Sequence, residues 1–136
     1  MNTRLAVAFI LVCSCVVTVL AQKSRPFDVV MKDVNATFAG LKKNLDSNAM
    51  PAVADDAAKL RSLFKEAEDF WTPFKTKDAI DFARGGQSAS QAIAAAAREG
   101  DGQKAQAAYG SVGKYCKGCH DSHRELMPDK SFKIRP

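Results

Sequence analysis

What this sequence lacks narrows it first. Valine, isoleucine and threonine never alternate with polar residues over a useful length, so no sheet pattern competes for the chain. Cysteine is scarce: there are four in 136 residues, and two of them, Cys13 and Cys15, lie in an apolar N-terminal run. Beyond that run only Cys116 and Cys119 remain, which excludes a framework of long-range disulfides. The basic residues are scattered and never form a stripe interleaved with aromatics, which argues against nucleic acid as a partner. The long apolar run, Leu5 to Ala21, falls short of the roughly 20 residues that a membrane span needs.

That run reads instead as an export signal. Arg4 supplies a positive charge before it, and Val19 and Ala21 are small residues at the positions a signal peptidase reads, ahead of polar Gln22. Residues 1–21 are therefore expected to be a cleaved signal peptide, and the remaining chain is not expected to associate with a membrane. Taking 21 residues from 136 leaves 115, enough for one small domain, 22–136. That domain carries 19 Lys and Arg against 15 Asp and Glu, a net charge of +4. An oxidising compartment permits disulfides, so two thiols standing alone there need another use.

Four helical stretches are expected in the domain. In the first, Phe27, Val30, Met31, Val34, Phe38, Leu41 and Leu45 recur at steps of three and four, on one face. The second opens with Pro51, with Asp55 and Asp56 near its positive end, and is stopped by Pro73. Its apolar face is Val53, Ala57, Leu60, Leu63, Phe64, Ala67 and Trp71. The third, about Asp78 to Arg98, is rich in alanine and contains Gly85 and Gly86. Two glycines cost a helix about 1 kcal/mol each relative to alanine, so the helix has room for a kink or a short break there. Gly100 and Gly102 make a turn, Asp101 is placed to cap the fourth helix, and that helix is expected to run to about Met127 before Pro128. Four such helices with short connections give an all-α, antiparallel, up-and-down four-helix bundle. Its core is rich in alanine and poor in large aliphatics, so a buried cofactor would supply missing apolar volume.

Cys116-Lys117-Gly118-Cys119-His120 is a C-x-x-C-H sequence, the pattern of covalent haem attachment. On a helix, positions i, i+3 and i+4 share one face, so two thiols and an imidazole project together. The thiols can bond the two vinyl groups along one porphyrin edge, and the imidazole can take the iron. Gly118 is small enough for a ring to approach its backbone. Two other uses of the same residues compete with this one. Zinc on Cys116, Cys119, His120 and His123 would need four ligands from eight residues of one helix to surround a tetrahedral ion. A thioredoxin-like thiol pair would need a strand–helix context that this chain lacks. His123, one turn past His120 on the same helix, cannot reach the far side of a haem and is expected as a solvated surface residue. Arg124 lies at i+4 from His120, where it can pair with a haem propionate or simply favour the helix dipole.

Carried together, these residues resemble the class II c-type cytochromes, the cytochrome c-prime and cytochrome c-556 family. The resemblance rests on CKGCHDSHR near the C-terminus, the AYGSVGKYCKGCH approach to it, Trp71 ending the second helix and the alanine-rich third helix, and it spans Pro26 to Met127. It implies a left-handed four-helix bundle around one haem c, joined through two thioethers to Cys116 and Cys119. It further implies a His120 proximal iron ligand, a periplasmic location in a bacterium, protein redox partners, and often a homodimer through the first two helices. A lysine-rich surface near a redox centre would steer an acidic partner.

In such proteins function turns on the other face of the iron, lined by the first helix. Met31, in VVMKDV, stands where the c-556 type places a methionine ligand, and His/Met ligation implies a closed, low-spin iron suited to electron transfer. The alternative is a cytochrome c-prime in which Met31 is only core filler and a five-coordinate iron takes small gases such as NO or CO. An arginine is often found one turn before this methionine in the family; here Phe27 stands in that position and Arg25 is the nearest arginine. Met50 and Met127 are poorer ligand candidates. A peroxidase would need acid–base residues in the stripe of the first helix, and that stripe has none, so the chain reads as no enzyme.

Overall fold

The computed structural model describes residues 24–136; the proposed signal peptide, with Cys13 and Cys15, lies outside them. Four helices follow one another: α1 (Phe27–Asp46), α2 (Met50–Trp71), α3 (Lys77–Arg98) and α4 (Gly102–His123). A short 3-10 turn, Thr72–Phe74, follows α2 at Pro73, and Lys75 reverses the chain with φ 57°. Gly100 turns the chain between α3 and α4 with φ 73°, a value that glycine adopts without steric cost. Asp101 caps α4 by accepting a hydrogen bond from the Lys104 backbone N–H at 2.9 Å, as its position in the sequence suggested. None of the described helices is long and apolar enough to cross a membrane.

The helices form the antiparallel up-and-down bundle. Helix α2 packs on α1 and α3, and α3 packs on α4, whereas α1 and α4 meet along only a short seam. One contact across that seam is a stack of Phe38 on Tyr109, with ring centroids 4.3 Å apart. The two ends of the bundle differ. Away from the α2–α3 connection, Leu41, Leu45, Val53, Leu60, Ile93, Ala96, Ala97 and Ala105 are buried together. Burying a leucine or isoleucine side chain is worth about 1.5–3 kcal/mol, so this end supplies much of the bundle's apolar stabilisation. At the other end, alanines Ala67, Ala79 and Ala83 line a cavity that they are too small to fill.

One open point is decided and one expectation needs correction. Helix α3 runs unbroken through Gly85 and Gly86. A Cβ on Gly86 would meet the Phe64 ring at 2.6 Å, and one on Gly85 would collide with the Tyr115 ring. The glycines are there for the approach of α2 and α4 to α3, and that packing holds the helix together despite their low propensity. The chain also leaves the helix earlier than expected. Helix α4 ends at His123, not near Met127, and an antiparallel hairpin follows: β1 (Arg124–Leu126) pairs with β2 (Phe132–Ile134) in the register Arg124–Ile134, Leu126–Phe132. Three-residue strands are too short for an alternation pattern to declare itself, so the sequence reading found no sheet.

Candidate functional site

The cavity measures about 630 Å³ and lies at the end of the bundle formed by the start of α1, the end of α2, the start of α3 and the end of α4. Antiparallel packing alone brings these four segments together. That volume lies within the ~300–1,000 Å³ of sites that bury small molecules and cofactors. Its walls are mainly apolar, with Phe27 and Phe38 from α1, Trp71 from α2 and Phe82 from α3 among them.

Cys116, Cys119 and His120 all line this cavity, as their i, i+3, i+4 spacing on α4 requires. Both thiols are free and half-buried. Burial pushes the Cys116 thiol up, and burial with the nearby Asp78 carboxylate pushes Cys119 up to about 11. Neither is therefore a thiolate ready for disulfide exchange at neutral pH. Burial also lowers the His120 imidazole from its ordinary value, and the neighbouring Arg124 charge adds to this. A neutral imidazole is the form that offers a lone pair to a metal. Gly118, between the cysteines, serves a neighbour other than the one expected. A Cβ there would lie 2.5 Å from the Phe82 ring, so the missing side chain leaves room for an aromatic wall of the cavity as well as for anything bound in it.

Met31 lines the same cavity from α1, half-buried beside the more deeply buried Val30 and Val34. Arg124 lines it too, but as the first residue of β1, with its guanidinium carbon 4.3 Å from the centroid of Phe132. Lys32 is a second cation at the rim, paired with Asp28 at 3.0 Å. Lys32 follows Met31 in the sequence and carries no signal of a cavity role there. Sequence reasoning also missed Phe82, Tyr115, Phe132 and Ile134. Phe82 and Tyr115 were legible as helical apolar positions, while Phe132 and Ile134 carry no helical signal at all. Arg25 is engaged elsewhere, bonded to Glu66 at 2.9 Å and to Asp33 at 2.7 Å.

His123 is not the solvated residue expected from the sequence. It is only 8% exposed. Its Nδ1 lies 2.8 Å from the Arg135 carbonyl oxygen, its Nε2 lies 3.0 Å from an Asp78 carboxylate oxygen, and its ring packs 5.1 Å from that of Trp71. The chain turns back at Arg124 instead of continuing as helix, so the hairpin covers the histidine. This placement also removes the zinc alternative, since His123 is committed to Asp78 and Arg135. Among the described residues no cluster of three metal-ligating side chains occurs.

A covalent haem fits these residues. Two unionised thiols and a neutral imidazole project from one helix face into one apolar cavity, with a methionine and two cations at its margins. Neither the curated proteins nor the solved structures give a match to the chain. Residues 25–124 match the family model described as Cytochrome C', and the chain belongs to that family of non-enzymatic proteins carrying covalent haem c.

Proposed function

We propose that this chain is an exported electron carrier whose haem is joined by thioethers to Cys116 and Cys119, with His120 and Met31 as the two axial ligands of the iron. The observation that carries this reading is that Met31 on α1 and His120 on α4 line the same cavity, on the two helices that meet only along a short seam. Bound haem supplies a one-electron couple; the chain sets how that couple behaves.

Each residue then has a role. Cys116 and Cys119 would hold the porphyrin through two thioethers. His120 and Met31 would hold the iron, and a thioether ligand would raise its reduction potential. The apolar walls exclude water, which disfavours the more highly charged ferric state. Arg124, and with it Lys32, offers positive charge to the propionates. Asp28 is the carboxylate among the cavity-lining residues, and its bond to Lys32 holds it below the ordinary carboxylate range, so it stays ionised and is a poor proton donor. The 1–21 leader supports a periplasmic location and a mature domain beginning at residue 22. Partner redox proteins, and a homodimer through α1 and α2, belong to the same proposal.

Optical spectra of the purified holoprotein test it. A low-spin spectrum in both oxidation states, unchanged by carbon monoxide at neutral pH, is the expected result. A high-spin ferrous haem that binds carbon monoxide rapidly would overturn the carrier reading and assign the chain to gas binding.

A further inference from the structure

The family match ends at residue 124, yet the chain continues through a hairpin whose residues Phe132 and Ile134 line the cavity. A two-stranded hairpin of three-residue strands is marginal alone in water. Something must hold it against the bundle, and the contacts are specific. The Arg135 N–H donates to the His123 carbonyl at 2.9 Å, while the Arg135 carbonyl faces His123 Nδ1 at 2.8 Å. The other ring nitrogen of His123 reaches across to Asp78 in the first turn of α3. At the other end of the hairpin, Asp129 accepts from the Ser131 N–H at 2.9 Å and tightens the turn. The strand that follows this turn brings Phe132 under the Arg124 guanidinium.

From this geometry we propose that residues 124–136 are a cap added to the four helices, that Phe132 and Ile134 close the His120 end of the haem cavity, and that His123 is the positioning residue that latches the cap to α3. His123 packs against the Trp71 ring and bonds the hairpin through Arg135, and it acts on the haem through them. The proposal rests on a haem joined to Cys116 and Cys119 but not on ligation by Met31. Its consequence is a change in water access: apolar cover over the haem favours the less charged ferrous state, so the cap raises the reduction potential.

The decisive variant keeps every charge. In holoprotein carrying Phe132→Ser with Ile134→Ser, the reduction potential is expected to fall. His123→Ala holoprotein is expected to show the same direction of shift, together with faster tryptic cleavage after Lys130 and Lys133. Asp78→Asn weakens one arm of the latch and gives a smaller shift. Should His123→Ala fail to fold, the Phe132→Ser with Ile134→Ser holoprotein, which leaves the latch in place, still reads the effect. A doubly substituted holoprotein with the wild-type potential would overturn the cap. Carbon monoxide binding reports Met31 and the potential shift reports the cap, so the carrier reading and this one fail separately.

Discussion

The ring of Tyr115 occupies the space that a side chain at Gly85 would need. This places the residue before Cys116 against the backbone of α3 and fixes how far α4 stands from it. Replacing Gly85 by alanine sets two effects against each other. Helix propensity gains about 1 kcal/mol. Forcing a methyl group into the Tyr115 ring costs about 1–3 kcal/mol, because the ring must leave its packed position. The clash is expected to win, so Gly85→Ala lowers the urea midpoint and disturbs the haem spectrum, although the site is a helix interior where alanine ordinarily stabilises. Adding Tyr115→Ala to it should recover part of the loss, and a double-mutant cycle in urea measures that coupling.

Substituting Met31 by alanine removes the proposed sixth ligand and leaves His120 in place. A low-spin spectrum should convert to a high-spin one, and the ferrous protein should begin to bind carbon monoxide. Met31→Leu provides the packing control, since leucine restores apolar volume without a sulfur. Both variants should look alike if ligation is what matters. If Met31→Leu kept the parent spectrum, Met31 would be core filler.

Glu68 ties α2 to α3. It accepts hydrogen bonds from Arg84 at 2.8 Å and from Gln87 at 2.7 Å, with its side chain only 13% exposed. The Gln87 bond, and then Arg84, hold its carboxyl below the ordinary 4.5. A depressed folded-state value means that the carboxylate stabilises the fold above about pH 4.5 and that this contribution is lost as pH falls through the folded value. Its contribution is expected to be about 1 kcal/mol, because Arg84 is largely exposed and solvent screens the pair. Urea titrations between pH 7 and pH 3 should show part of the acid loss disappear in Glu68→Gln, whose stability is lower at pH 7 and flatter with pH.

How much of this was legible beforehand depends on the length of the signal. The first and second helices declared themselves through apolar residues at steps of three and four, and Val30, Val34, Leu41, Leu45, Val53 and Leu60 are all buried. The C-x-x-C-H spacing by itself puts Cys116, Cys119 and His120 on one helix face, and all three line the cavity. Gly85 and Gly86 misled because propensity is a local quantity and their value lies in the neighbours they admit. Residues 124–136 misled more, since a short hairpin is defined by what it packs on. The burial of His123 was invisible because both its partners, Asp78 and Arg135, are remote or beyond the helix: 45 residues away in one case and 12 in the other.

The filled and hollow ends of the bundle should respond differently to truncation. Leu60 is fully buried in the packed cluster and does not line the cavity, so Leu60→Ala deletes contacts that no cofactor replaces. A loss of about 2–5 kcal/mol is expected, with the spectrum unchanged. Phe82 lines the cavity and lies against Gly118, between the two cysteines. Phe82→Ala should alter the haem spectrum, because the wall it removes borders the attachment helix, and it should cost the holoprotein less than the 3–5 kcal/mol usual for a buried phenylalanine, since the ring is only half-buried. Urea denaturation followed by far-ultraviolet circular dichroism and by haem absorbance separates the two effects. Equal spectral disturbance from both substitutions would mean that the bundle behaves as one undivided core.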